Sequence, residues 1–221
     1  MLLSLYIKMN TMRALKKDKV QQRPLTPLSE SSLFTGASIE PNMVSELKKE
    51  ILTSDRIDIL MSFIKLSGLL LIAEELKTFV AQHPDRSVRF ITTTYMGATD
   101  FKALKLLSEI PQVEVKMSFN SDQSRLHAKA YLFERETGFS TAYIGSSNLS
   151  KAAITNGLEW NVKLSERDSF EIIRKFQATF ESYWNDPEFE TVNLEEPSTA
   201  KRIKRALQQY SQTQQYKELL F

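Results

Sequence analysis

The chain has 221 residues, 29 Lys+Arg against 27 Asp+Glu, a net charge of +2 and no cysteine. That length makes one domain of ordinary size with tails, large enough to hold a core without covalent staples. The charge balance excludes a bulk polycation, and the missing thiols exclude a disulfide scaffold, a thiol nucleophile, a zinc ribbon and an iron–sulfur cluster.

At 42% hydrophobic and 25% charged, the composition is that of a soluble globular domain. The opening stretch, Met1 to Ile7, is apolar but has no basic region before it and no small-residue cleavage site. No later apolar run approaches a membrane span. The expectation is a cytoplasmic protein without membrane contact. Two histidines, His83 and His127, are too few for a His-rich metal site.

Residues 1–40 carry Lys16-Lys17-Asp18-Lys19, Pro24 and Pro27 without apolar periodicity, and read as a flexible arm. Order is expected from Pro41, with Asn42 capping a helix over Met43 to Leu52. Arg56 to Phe63 alternates like a strand, and Ser67 opens a helix to Val80 that His83-Pro84 ends. Val88 to Thr94 is β-branched and strand-like. Thr99 is expected to cap a helix over Asp100 to Glu109, before a strand over Val113 to Phe119. This strand–helix alternation predicts parallel strands with helical crossovers.

The texture then changes. Leu126 to Phe133 and Thr141 to Gly145 read as strands joined by a hairpin, with Gly138 available for a positive φ. Leu158 to Leu164 is a further strand. Asp168 is expected to cap a long helix to Trp184, and Ala200 to Leu220 is a Gln-rich basic helix pattern. The boundaries are a 1–40 arm, a 41–190 domain and a 191–221 linker with a C-terminal helix.

Three short stretches carry the chemistry. In Arg125-Leu126-His127-Ala128-Lys129-Ala130, strand alternation puts His127 and Lys129 on one face and Leu126, Ala128 and Ala130 on the other. An imidazole beside an ammonium is costly in a core and natural at an anion site. Tyr143-Ile144-Gly145-Ser146-Ser147-Asn148 runs from a strand into small polar donors, a second anion-binding feature. Gly157-Leu158-Glu159-Trp160-Asn161 brings a carboxylate into an apolar strand.

Together these residues resemble the phospholipase D superfamily, whose motif is His-x-Lys, an acid, then Gly-Ser-x-Asn. His127, Lys129, Glu134, Gly145, Ser146 and Asn148 match, and Glu159 stands eleven residues after Asn148, as a further carboxylate does in nuclease members. Two departures are Glu134 for the usual Asp and a longer spacer to Gly145, with the extra residues falling in the proposed hairpin. More widely, residues 40–190 resemble the single-motif nuclease domains found alone or ahead of DEAD/DEAH-type helicases in bacterial restriction and defence proteins. The sequence holds no Gly-x-x-x-x-Gly-Lys-[Ser/Thr] loop, so ATP hydrolysis is not expected of it.

The resemblance implies an α/β fold with a mixed β-sheet flanked by helices on both faces. It implies a metal-independent DNA endonuclease without cofactors. His127 would be the nucleophile, Lys129 and Asn148 would hold phosphate oxygens, Glu159 would orient the imidazole and Ser146 would add a hydrogen bond. One motif supplies one catalytic histidine, so the resemblance also implies a homodimer. A helicase is expected as partner or as further sequence. The alternatives are a phosphodiesterase acting on RNA or phospholipid, and a non-catalytic DNA-binding or docking module. Trp160, Trp184, Phe176 and Phe180 are read as core, and His83 as a helix-end residue. Lys201-Arg202-Ile203-Lys204-Arg205 is read as a solvated helix face, with a DNA-contacting or docking helix as the minority reading.

Overall fold

A computed structural model describes residues 23–119, 126–155 and 159–218, with residues 209–218 described through their backbone alone. Its elements in chain order are β1 (Ser32–Phe34), α1 (Met43–Leu52), β2 (Arg56–Met61), α2 (Leu66–Leu69), α3 (Ala73–Gln82) and β3 (Val88–Thr93). A 3-10 turn (Tyr95–Gly97) follows, then α4 (Phe101–Ser108), β4 (Val113–Ser118), β5 (Lys129–Glu134) and β6 (Thr141–Gly145). The last are α5 (Lys151–Thr155), β7 (Asn161–Ser165), α6 (Phe170–Trp184), β8 (Phe189–Thr191) and α7 (Pro197–Glu218).

The strands form one mixed sheet in the order β1-β7-β6-β5-β2-β3-β4-β8. β2, β3 and β4 are parallel, as the alternation with helices predicts, and the remaining pairs are antiparallel. The alternation on β5 divides the core. Tyr131 and Phe133 enter the larger cluster with Leu47 of α1, Leu76 of α3, Leu104 of α4 and Ile203 of α7. Ala130 and Leu132 face the other way, toward Ile173, Phe176 and Phe180 of α6. Helices therefore cover both faces of the sheet. Asn42 caps α1 through Oδ1, which accepts from the Val44 and Ser45 amides. Gly138 takes a φ of 75° in the turn between β5 and β6.

Long-range partners alter several local expectations. The described part of the expected arm, residues 23–40, is held in the fold: β1 pairs with β7, and buried Lys163 donates to the carbonyls of Thr26 and Pro27 at 3.0 and 2.8 Å. Glu46 accepts from the Leu25 and Thr26 amides at 2.8 and 2.9 Å. Residues 1–22 lie outside the described residues. At the other end β8 extends the sheet beside β4, and α7 buries Ile203 and Leu207 in the core. Each such side chain stabilises the docked helix by about 1.5–3 kcal/mol.

The helix expected from Ser67 to Val80 is two helices, α2 and α3, separated at Leu70–Ile72. Thr99 does not cap α4. Its hydroxyl turns inward to the Thr93 carbonyl at 3.2 Å, while the Asp100 carboxylate receives the Leu66 amide at 2.9 Å and so serves α2 instead. Asp168 accepts from the Ser31 amide at 2.6 Å and Ser169 flanks α6, so Asp168 anchors the N-terminal segment. The strand expected from Leu126 begins at Lys129, and the one expected from Leu158 begins at Asn161.

Candidate active site

The C-terminal ends of β2 and β3 and the start of β5 share one edge of the sheet, because β5 runs antiparallel to β2 with Met61 opposite Lys129. Here the Ser62 amide and hydroxyl both donate to the Ala128 carbonyl at 3.0 Å. That fixes the two residues on either side of Ala128. Lys129 is buried, and its Nζ donates to the His127 carbonyl at 2.9 Å and lies 3.2 Å from His127 Nδ1. His127 is exposed at the tip, with its ring edge-on to Phe63 at 6.2 Å between centroids. Leu126, Ala128 and Ala130 pack together on the α6 side, as the alternation predicts.

Burial lowers the pKa of Lys129, and the Glu159 carboxylate opposes that shift by favouring the ammonium. Glu159 is thus electrostatically linked to Lys129. Among the described residues no hydrogen bond joins it to His127, the imidazole it was expected to orient; Lys129 Nζ, which is tethered to the His127 carbonyl, faces Nδ1 of that ring instead. An ammonium has only donors to offer, so this contact is one that the Nδ1 lone pair accepts.

Ser146 and Asn148 leave β6 at the same edge. The register pairs Ala130 with Ile144, which brings Gly145 beside Lys129. Gly145 has no room for a side chain: a Cβ there would meet the Trp160 carbonyl oxygen at 2.3 Å and Asn161 Oδ1 at 2.4 Å. This close approach lets the Ser146 amide donate to the Trp160 carbonyl at 3.0 Å and the Trp160 amide donate to Ser146 Oγ at 3.1 Å. Ser146 is therefore engaged with the backbone beside Glu159. Asn161 Nδ2 donates to buried Ser147 Oγ at 2.8 Å, and the Lys65 amide donates to the Leu149 carbonyl at 2.9 Å. Both hold the turn that carries Asn148.

Asn148 Oδ1 is buried without a hydrogen-bond partner among the described residues. An unsatisfied buried amide costs about 1–3 kcal/mol and marks a position where a ligand atom is expected. Turning the amide about its last torsion presents the Nδ2 donors to the same point. A buried ammonium, a carboxamide in need of a partner and an exposed imidazole suit a tetrahedral oxyanion with an electrophilic centre.

Glu134 has a different place. It lies at the far end of β5, where it accepts from Gln177 of α6 at 2.7 Å and pairs with Arg56 at 3.4 Å, a structural position. His83 closes α3 against the Phe79 ring at the opposite end of the sheet from His127, as expected of a helix-end residue. Trp160 is a correction: it is 63% exposed beside Glu159, while Phe180 is buried in the core. The sequence reading missed Ser147 and Asn161, which brace the turn. It also missed Phe63, and it took the Thr92 to Asp100 segment that holds Tyr95 first as a helix cap and only second as lining the cleft; the two rings stack at 6.5 Å next to His127. Their signal was an aromatic residue just past the end of each of two parallel strands. Met96 and Gly97 follow at φ 58° and 59°, a left-handed turn that costs a methionine about 1 kcal/mol or more.

Among the described residues no group of three or more His, Cys, Asp or Glu side chains is arranged to hold a metal ion. Among them, too, no helix is long and apolar enough to cross a membrane.

The family described as "Cardiolipin synthase, PLD-like domain" matches residues 47–184, more than half of the chain. No curated protein sequence matches it. Among solved structures the chain is similar to NucT from Helicobacter pylori, at 17% identity and a TM-score of 0.53 over 69% of this chain and 94% of that one. It is similar to the phospholipase D family member Nuc from Salmonella typhimurium, at 19% identity and a TM-score of 0.53 over 73% and 98%. A phosphatidylserine synthase from Haemophilus influenzae shares 10% identity with a TM-score of 0.51, over 86% of this chain and 46% of that one. At these identities the likeness is one of fold.

Proposed function

The chain belongs to the PLD-like domain family of the phospholipase D superfamily and carries its phosphodiester hydrolase fold, and on that premise we propose that it is a metal-independent DNA endonuclease working through a phosphohistidine. The observation that carries the reading is the convergence at one sheet edge of the exposed His127, the buried Lys129 ammonium and Asn148, whose Oδ1 has no partner among the described residues. Lys129 and Asn148 take the non-bridging oxygens of the diester. Negative charge grows on those oxygens as phosphorus becomes five-coordinate, so fixed donors there lower the barrier.

The bound diester draws Lys129 Nζ away from His127 Nδ1. Nδ1 is then free to carry the ring proton toward Glu159, which leaves Nε2 with its lone pair. Nε2 attacks phosphorus, a P–N bond forms and the P–O bond to the leaving strand breaks. An uncharged nucleophile meets no repulsion from the anionic diester. The leaving oxygen takes a proton from a second imidazolium. That imidazole, now neutral, removes a proton from water, which attacks phosphorus, breaks the P–N bond and restores His127.

The second imidazole is His127 of another copy of this chain, since His83 lies at the opposite end of the sheet. A row of apolar residues in register across six strands supports this assembly: Leu33, Val162, Ile144, Ala130, Leu60 and Ile91. α6 covers the last three, while Leu33, Val162 and Ile144 stay 43%, 40% and 39% exposed. The open half continues into a cavity of about 510 Å³ lined by Ile144, Phe176 and His127. A second copy seated on this face buries the row and brings its own His127 toward the first. The resemblance to nuclease domains of restriction and defence systems supports a role there, with a helicase as partner.

Covalent trapping tests the reading. Labelled DNA quenched in acid-free denaturant during turnover is expected to leave an alkali-stable, acid-labile adduct on His127. Steady cleavage with no label on His127 at any time would overturn it.

A further inference from the structure

The geometry points to a track for a single-stranded nucleic acid that leaves His127 across the ends of the parallel strands and finishes on α7; it rests on the phosphodiesterase reading above. Each parallel strand ends on an aromatic residue at the same sheet edge: Phe63 after β2, Tyr95 after β3 and Phe119 after β4. The strand order β5-β2-β3-β4 lines these up beside His127 at about 4.8 Å per strand. Phe63 stands edge-on to His127, and Tyr95 stacks on Phe63 with planes 19° apart. All three rings are part-buried: Phe63 and Tyr95 keep some surface at the solvent, while Phe119 packs on the core and has Arg202 over its face.

The far end of the row is cationic. α7 turns Ile203 and Leu207 into the core and leaves Lys201, Lys204 and Arg205 exposed. None of these three has a carboxylate partner within 4 Å among the described residues. Their neighbour Arg202 does, in Glu190, and it lies over the Phe119 ring at 4.0 Å. Lys204 lies over Phe101 at 4.6 Å and borders a cleft of about 680 Å³ between the Tyr95–Gly97 turn, α4 and α7. The acidic group in that cleft is Asp100, already engaged by Lys65 and the Leu66 amide.

Part-exposed rings followed by cations that have no carboxylate partner among the described residues suit a chain whose bases are unpaired. Bases stack on the rings without sequence preference, and the phosphates meet the ammonium and guanidinium groups. A duplex keeps its base faces inside and can use only the cations. Substrate preference therefore falls on single strands, and α7 serves as a strand-holding helix.

Fluorescence anisotropy on the full chain carrying His127→Ala tests the track, with a labelled 20-nucleotide strand and its duplex in EDTA across a salt series. The strand is expected to bind about tenfold or more tighter than the duplex. Phe63→Leu should weaken strand binding about fivefold or more and leave duplex binding unchanged. The combined change Lys201→Gln, Lys204→Gln and Arg205→Gln should reduce the salt slope by about 2, because each phosphate left without its cation removes roughly 0.7. Equal affinity for both forms, or an unchanged salt slope, would overturn the track. Hydrolysis of bis(p-nitrophenyl) phosphate separates the two readings, since so small a diester does not reach α7. Wild-type hydrolysis that the triple variant retains, with strand affinity indifferent to all the changes, sinks the track alone. The expected binding pattern, without hydrolysis of the small diester by otherwise unaltered protein, sinks the chemistry and upholds the track.

Discussion

Gly145→Ala puts the local architecture of the site under direct stress. The added Cβ would sit 2.3 Å from the Trp160 carbonyl oxygen, 2.4 Å from Asn161 Oδ1 and 2.7 Å from Asn161 Cα. Two of these neighbours are backbone, so β6 and β7 must part by about 1 Å to reach ordinary contact. Overpacking of this kind costs about 1–3 kcal/mol. The parting also strains the Asn161–Ser147 bond, worth about 1 kcal/mol. For a domain of this size a sum of about 2–4 kcal/mol lowers the melting temperature by roughly 4–16 °C. The turn bearing Ser146 and Asn148 shifts with β6, and a displacement of about 1 Å costs on the order of 100-fold in rate. Thermal melts and plasmid cutting in EDTA would be run beside Gly138→Ala. That comparator has no atom within 4 Å of the new Cβ but a φ of +75°, so it should lose about 1 kcal/mol and retain its cutting rate. A Gly145→Ala protein that melts with the wild type and cuts at its rate would refute the steric argument.

Three other outcomes follow from the same contacts. Burial lowers the Lys129 pKa, and the ammonium is the form that holds phosphate, so the alkaline limb of the cleavage profile should lie below that of an ordinary lysine. Glu159→Gln removes the charge that opposes the shift, so the limb should move to still lower pH; a limb that stays put contradicts the link. Val162→Lys places a charge in the exposed apolar row, and light scattering should then give the monomer mass with cutting lost, against a dimer for the wild type. Lys163→Met leaves the Thr26 and Pro27 carbonyls without their donor, at a cost of about 1–3 kcal/mol. Hydrogen exchange should speed up over residues 25–34 first, and uniform protection there would refute the latch.

The sequence was most readable where a pattern closes on itself within a few residues. The Asn42 cap, the parallel run β2 to β4 and the turn at Gly138 depend on neighbours along the chain, and all three formed as read. β1 and β8 are three residues each, too short to carry a period, and exist because β7 and β4 offer them an edge. Thr99 and Asp168 looked like caps locally, yet distant amides claimed them: that of Ile64 for the Thr99 hydroxyl and that of Ser31 for the Asp168 carboxylate. Within the site, His127 and Lys129 were legible because two residues on one strand share a face. The bracing by Asn161 and the stacking of Phe63 with Tyr95 depend on strand order, which no local spacing encodes. Trp160 reads as core by size alone, but it stands just before β7, whose Val162 is likewise exposed.

The most direct measurement is cleavage of supercoiled plasmid and single-stranded DNA in excess EDTA, with His127→Ala beside the wild type. Cutting is expected to survive the chelator and to vanish in the variant. DNA bound without cutting by either protein, or cutting that His127→Ala retains, would contradict it.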